Sequence, residues 1–409
     1  ENDMRAKVGP MSIMLPLAKR LGDIDHYYDD IKLPSQPVSD TALKAVLSEF
    51  KRVKGLRVRD QQRVIDLMKK STNSGSPYFT KRRSVLKKTQ YCFTEQQDSS
   101  TVQVLDMRKD SLSHLGIMMN DSGDMWKACA VLGWRGQEGG PKRADVKQRV
   151  VWMFPFAVNI NELQVYQPLI EACQSHNLVP AWVDMGLVDR RITAMFDSRY
   201  DKEDPIVCTD FSKFDQHFNQ SLQDAAYTIL KGLLTPDCDS DSWLESVFPI
   251  KYEIPLAYDF GKIRYGKHGM GSGSGGTNAD ETLVHRALQY EAALNNSSRL
   301  NTYSQCLGDD GVLTYPGITV EDVIRSYTAH GLEMNESKQY VSTQDCIYLR
   351  RWHHKDYRVN NVCVGVYSTY RALGRLMEQE RYYDPSVWSA KMVALRQLSI
   401  IENVKYHPL

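Results

Sequence analysis

The stretch from Asn301 to Tyr315 sets the tightest limit on what this chain can become. It reads Asn-Thr-Tyr-Ser-Gln-Cys-Leu, then Gly308-Asp309-Asp310-Gly311, then Val-Leu-Thr-Tyr. Two short β-prone runs flank a tight turn of Gly and Asp, which predicts a hairpin. Two carboxylates side by side repel, so a plain turn gains little by carrying both. A divalent cation reverses that penalty, because Mg²⁺ and Mn²⁺ take hard oxygen ligands. Asp is also an ordinary turn residue, so the hairpin alone reads first as a simple surface turn. Its meaning depends on what the rest of the chain brings to it.

A second carboxylate closes another apolar run. Pro205-Ile-Val-Cys-Thr209 reads as a buried strand that stops at Asp210 and continues Phe211-Ser-Lys-Phe-Asp215. Leu222, Ala225, Ala226, Ile229, Leu230 and Leu233 then recur at helical spacing, giving strand, turn and amphipathic helix. A charge at the end of a buried strand is poorly placed for solubility, which makes Asp210 a metal-ligand candidate. Asp215 can instead be a helix-entry cap. Further on, Gly271-Ser272-Gly273-Ser274-Gly275-Gly276-Thr277-Asn278 has the composition of a flexible linker. The residues beyond it argue against a linker: Asn278-Ala-Asp-Glu281 has capping-box spacing, and Leu283, Ala287, Tyr290 and Leu294 mark one helix face. A glycine loop feeding a helix offers bare N–H groups to an anion. The Gly-Lys-Ser/Thr ending of a P-loop is missing.

A net charge of only +1 over 409 residues hides an uneven distribution. From Lys51 to Lys88 the only acids among many bases are Asp60 and Asp66, which suits a phosphate-tracking surface. Inside it, Thr72-Asn73-Ser74-Gly75-Ser76-Pro77-Tyr78 is either a surface loop or a rigid loop leaning on a nucleic-acid strand. Lys142 and Arg143 open a second basic run that enters an apolar strand, where Lys147 and Arg149 alternate onto one face. Such a pair suits a polyphosphate, though a lysine-guarded edge strand reads the same. Ile347 to Trp352 is a further strand with cations beside aromatics, and helical patterns run from about 41 to 68, from 320 to 327 and from 370 to 401.

With 42% hydrophobic and 25% charged residues the composition is globular, with ample material for a core. No apolar run is long enough to span a bilayer, and no secretory leader opens the chain. It begins with Glu1 rather than Met, so its true start can lie upstream. The eight cysteines form no Cys-x-x-Cys pair, which favours free thiols in a reducing compartment. His353 and His354 are adjacent, a spacing that suits a polar or stacking role better than a metal.

Taken in order, these stretches resemble the motifs of viral RNA-dependent RNA polymerases. Thr72–Tyr78 is similar to motif G, Lys142–Arg149 to motif F, and Asp210-x4-Asp215 to motif A. Ser272-Gly273-x3-Thr277 resembles motif B, Gly308-Asp309-Asp310 motif C, and Tyr348–Trp352 motif E, with Lys338 at the place of the motif D lysine. The wording around Asp210 and in the glycine loop is most similar to picobirnavirus polymerases. The resemblance implies an α+β right hand, with an antiparallel palm sheet flanked by helices. Fingers are expected over 1–205 and 235–265, palm over 206–234 and 266–352, and thumb over 353–409, which is short for a thumb.

It also implies template-directed nucleotidyl transfer to an RNA 3′-OH for genome replication and transcription. Asp210, Asp309 and Asp310 would hold two Mg²⁺ or Mn²⁺ ions, with a backbone carbonyl of Thr209 or Phe211 as a further ligand. Lys338 would donate a proton to pyrophosphate. The NTP would meet Lys147, Arg149, Asp215, Ser272, Gly273, Thr277 and Glu281. RNA would meet Thr72, Ser74, Gly75, Pro77, Lys142, Arg143, Arg350 and Arg351. Expected partners are template and nascent RNA, NTPs and a viral capsid protein, without membrane, in the host cytoplasm inside the viral particle. One departure stands out: the family commonly has Asn four positions after the motif B threonine, where this chain has Glu281. Glu281 either substitutes as an acceptor for the ribose 2′-OH or merely closes the capping box. Two rivals remain at this level: a reverse transcriptase, against which Asp215 argues in place of a bulky aromatic, and a non-catalytic RNA-binding protein.

Overall fold

In a computed structural model of the chain, residues 1–76, 78–86 and 129–409 are described, together with the backbone of two short paired strands, Ile117–Met119 and Met125–Lys127. Pro77, and Lys87 and Lys88 of the basic stretch, lie outside the described residues.

The apolar run before Asp210 forms strand Ile206–Thr209, buried at every position. It takes the centre of an antiparallel sheet ordered Tyr340–Ser342, Ile206–Thr209, Asp310–Leu313, Gln305–Leu307. Helix Thr277–Asn295 backs this sheet and packs on helices Asp40–Glu49, Gln220–Leu233 and Val320–Thr328. Its apolar positions Ala279, Leu283, Val284, Ala287, Leu288 and Ala292 belong to the main core. Its polar positions from Asp280 to Gln289 are buried too, and buried polar groups need partners. Asp280 pairs with the buried Lys251 at 3.0 Å and accepts from Tyr166 and Tyr252 at 2.7 Å each. Arg286 forks onto Glu49 at 2.9 and 2.8 Å.

A second sheet runs Lys147–Met153, Ala130–Gln137, Leu256–Asp259, Lys262–Arg264, with the first pair antiparallel and the second parallel. A third joins Asp345–Tyr348, Arg351–His354 and Val366–Tyr367. The two last helices are Thr369–Met377 and Ala390–Asn403. None of the described helices is long and apolar enough to cross a membrane.

Five expectations need correcting, the first being the helical run over 370–401, which is two helices, Thr369–Met377 and Ala390–Asn403. The helix expected over 41–68 is two, Asp40–Glu49 and Gln61–Leu67, because Phe50 and Val53 turn into the core and Gly55 takes a φ of 89°. Ile347–Trp352 is not one strand but a tight hairpin, with Leu349 and Arg350 at positive φ (54° and 62°). The Gly-Asp-Asp-Gly turn is shorter than expected, since Asp310 already pairs with Leu307 and only Gly308 and Asp309 form the loop. Finally, the Thr277–Asn295 helix starts behind Gly276, so Asn278 and Glu281 form no capping box.

Candidate active site

Strand register does what spacing alone could not. Thr209 pairs with Gly311 and Leu307 with Asp310, so Asp210 and Asp309 emerge at the same end of neighbouring antiparallel strands. Both are exposed there. Their charges feel each other: partial burial and then Asp309 push the Asp210 carboxyl up, while Lys338, Lys7 and Lys147 pull it down. Asp210 is held by its backbone, because Gln339 Oε1 accepts from its N–H and Gln339 Nε2 donates to its carbonyl, both at 2.8 Å.

The turn that carries Asp309 is clamped from beneath. Gly308 has a φ of 58°, the positive value wanted at the first position of a two-residue hairpin loop. Its N–H donates to Thr282 Oγ1 at 2.9 Å and its carbonyl accepts from His285 Nδ1 at 2.8 Å. A carbonyl can only accept, so the His285 proton sits on Nδ1. Burial pushes that imidazole down to about 4. A side chain at Gly311 would collide with the same ring, with a Cβ only 2.6 Å from its Cε1.

Asp310 behaves differently from Asp309. Its Oδ2 accepts from the Leu349 N–H at 2.8 Å, and burial, opposed by that bond, pushes it up to about 7. It therefore ties the sheet to the Leu349–Arg350 turn. Among the described residues no group of three or more His, Cys, Asp and Glu side chains is arranged for a metal ion. The exposed donor set is the Asp210–Asp309 pair, and two carboxylates at adjoining strand ends fit a hard divalent cation.

The nucleotide-side candidates gather around this pair. Lys147 and Arg149 lie exposed on one face of their strand, Lys147 acting on Asp210 and Arg149 on Asp215. Ser272 Oγ donates to the Val150 carbonyl at 3.1 Å, and Trp152 N–H donates to the Ser272 carbonyl at 2.8 Å. Gly273 has a φ of 125°, and a Cβ there would come within 2.0 Å of the Trp152 carbonyl. Asp215 hydrogen-bonds to Glu281 and shares the single Ser272 hydroxyl proton with the Val150 carbonyl. Two carboxyl groups can bond only if one keeps its proton; burial and then Asp215 push Glu281 well up, so Glu281 keeps it. Glu281 Oε1 is buried without a hydrogen-bond partner among the described residues. Thr277 is half-buried and its hydroxyl stays within the loop, 3.4 Å from the Gly271 and Ser274 carbonyls.

Of the residues expected on RNA, Thr72, Lys142, Arg143 and Arg350 are exposed. Three are not placed as expected. Ser74 is 1% exposed and its Oγ accepts from the Thr80 N–H at 3.2 Å, so it shapes its loop from within. Gly75 is buried against the Phe154 carbonyl, which a Cβ would approach to 2.3 Å. Arg351 is buried and forks onto Asp189 at 2.6 and 3.1 Å, which leaves it no reach for a strand. Thr282, His285, Gln339 and Lys7 went unread in the sequence, for none stands in a motif; only the folded neighbours reveal them.

A sheet whose adjoining strands end in two carboxylates, faced by a cationic strand and a glycine loop, defines a polymerase of the right-hand class. Residues 17–364 match the family described as viral RNA-dependent RNA polymerase, and the chain belongs to that family. It is 63% identical over 409 residues to a human picobirnavirus protein named "Potential RNA-dependent RNA polymerase", covering 100% of this chain and 73% of that one. The crystal structure of the RNA-dependent RNA polymerase of a human picobirnavirus matches with a TM-score of 0.90 and 61% identity, covering 100% of this chain and 75% of that one. An insertion-loop deletion mutant of such an enzyme gives the same score and identity, with 77% of its chain covered. The chain is thus an RNA-directed RNA polymerase, a nucleotidyltransferase, and its resemblance to picobirnavirus polymerases holds. Neither the reverse transcriptase nor the non-catalytic reading survives that assignment.

Proposed function

We propose that the chain joins NTPs to an RNA 3′-OH by two-metal nucleotidyl transfer, replicating and transcribing the genome of a double-stranded RNA virus. The observation that carries this is the meeting of Asp210 and Asp309 before Lys147, Arg149 and Lys338. Asp210 and Asp309 would hold Mg²⁺ or Mn²⁺, which when bound would lower the pKa of the attacking hydroxyl and neutralise charge on the leaving oxygens. Asp310 supports them from the strand. Lys147 and Arg149 hold the triphosphate with fixed positive charge where negative charge develops. Lys338 gives a proton to the departing pyrophosphate. Asp215, with its carboxylate free to accept and Glu281 keeping the shared proton, reads the ribose 2′-OH. Ser272, Gly273 and Thr277 shape the loop under the nucleotide.

Thr72, Lys142, Arg143 and Arg350 track the RNA backbone, while base pairing chooses the nucleotide. In this reading 1–205 and 235–265 are fingers, 206–234 and 266–352 palm, and 353–409 thumb. By family resemblance the enzyme works inside the viral particle in the host cytoplasm, beside a capsid protein.

The test is Asp309→Asn, assayed for labelled nucleotide incorporation on RNA with each metal in turn. Incorporation is expected to vanish with RNA affinity kept within about twofold, because an exposed turn carboxylate adds nothing to phosphate contacts. Synthesis at the normal rate would defeat the reading.

A further inference from the structure

A buried acid outside every motif touches the machinery from behind. Glu162, on helix Phe156–Ser175, is 0% exposed. Its Oε1 accepts from the Gly275 N–H at 3.1 Å and from Asn159 Nδ2 at 3.2 Å, and its Oε2 accepts from the Ser274 hydroxyl. Ser274 Oγ in turn accepts from the Gly276 N–H at 3.1 Å. The glycine loop is therefore gripped through its hydroxyl and its backbone by one carboxylate.

Asn159 leads the other way. Its Oδ1 accepts from Arg82 at 2.7 Å, and the Arg82 backbone N–H donates to the Thr72 carbonyl at 2.9 Å. The 72–82 loop is also fixed to the start of the same helix, where the Phe156 N–H donates to the Ser74 carbonyl at 2.8 Å. A continuous polar line thus runs from Thr72 through Arg82, Asn159 and Glu162 to Ser274 and Gly275. A carboxylate is an expensive choice for simple packing, since an apolar side chain of like volume fills a core at least as well. Hydrogen bonds from fixed backbone and hydroxyl donors to one carboxyl group are instead directional, which suits a part that must hold a loop in a defined state.

We propose that Glu162 and Asn159 are positioning residues that link the template-side loop at 72–82 to the glycine loop at 271–277, so that the nucleotide site resets in step with advance of the template. The link rests on the proposed roles of those two loops, one against template RNA and one under the nucleotide. With the link intact, a shift of the template-side loop is passed through Arg82 and Asn159 to the Ser274–Gly276 backbone. Without it, chemistry on a nucleotide already in place proceeds, and the step between additions slows.

The experiment uses the full chain assembled on a primed RNA template, with rapid-quench timing of the first addition and of each later one. The variants are Glu162→Gln and Asn159→Ala. Both should make the first addition within about twofold of the parent rate and later additions about tenfold slower, the size of one lost charge-assisted bond. Equal slowing of first and later additions would mean a merely structural role and would overturn the link, as would parent rates throughout. If Glu162→Gln does not fold, Asn159→Ala decides alone, because it leaves the Glu162 bonds to Ser274 and Gly275 in place. Asp309→Asn runs alongside: synthesis by that variant sinks the catalytic reading, whereas parent rates in the two link variants with Asp309→Asn inactive sink only the link.

Discussion

His285→Leu separates the support of the catalytic turn from its chemistry. Leucine fills much of the space beneath Gly311 but cannot donate to the Gly308 carbonyl, which is left buried and unpaired. An orphaned buried acceptor costs about 1–3 kcal/mol, so near pH 7.5 the variant should be less stable by about 2 kcal/mol. Acid changes the comparison. The folded imidazole resists protonation down to about 4, while in the unfolded chain it titrates near 6.5. A histidine whose folded pKa is lowered withdraws stability as pH falls below its unfolded value, by about 1.4 kcal/mol per unit. Between about pH 7.5 and pH 5 the parent should lose about 2 kcal/mol that leucine, which does not titrate, keeps. The gap in denaturant midpoint should therefore nearly close at the lower pH. Every other titrating group is common to both proteins and cancels. A gap that stays constant over this range would refute a neutral, hydrogen-bonded His285.

Gly273→Ala places a Cβ within 2.0 Å of the Trp152 carbonyl at a φ of 125°, so the loop must move; nucleotide incorporation should fall about a hundredfold with RNA binding kept, and normal incorporation would show the loop free to adjust. Glu281→Ala removes the partner that orients Asp215, and the preference for NTP over dNTP should drop by about tenfold or more; an unchanged ratio on an RNA template would end that assignment. Arg351→Ala leaves Asp189 buried without its counter-charge, with the Gly365 N–H still donating at 3.4 Å, which should destabilise the fold by about 3–5 kcal/mol while RNA affinity stays the same; lost affinity in a stable protein would return Arg351 to the RNA surface.

The parts legible in the sequence were those written locally. A continuous apolar run ending in Asp210 and a glycine-led hairpin around Asp309 announce two strand ends, and the basic alternation at Lys147 and Arg149 announces a strand face. Their meeting needed the strand register, which spacing does not state. What misled was polarity without its partner. Arg351 looked like an RNA contact because the acid that claims it, Asp189, lies 162 positions away. Ser74 looked outward because nothing local says its hydroxyl folds back onto Thr80, six positions on. The spacing from Asn278 to Glu281 imitated a cap, while Gly276 opens the helix and Glu281 answers to Asp215. His285 gave no signal at all, since one histidine in a helix carries no spacing and its role lies in the Gly308 carbonyl it reaches.

The burial of helix Thr277–Asn295 through its middle, from Ala279 to Ala293, bears on how such an enzyme can change over time. Asp280 answers to Lys251 and two tyrosines, Thr282 and His285 to Gly308, and Arg286 to Glu49. A replacement at any of these positions strands a partner on another element, so drift here requires two changes at once.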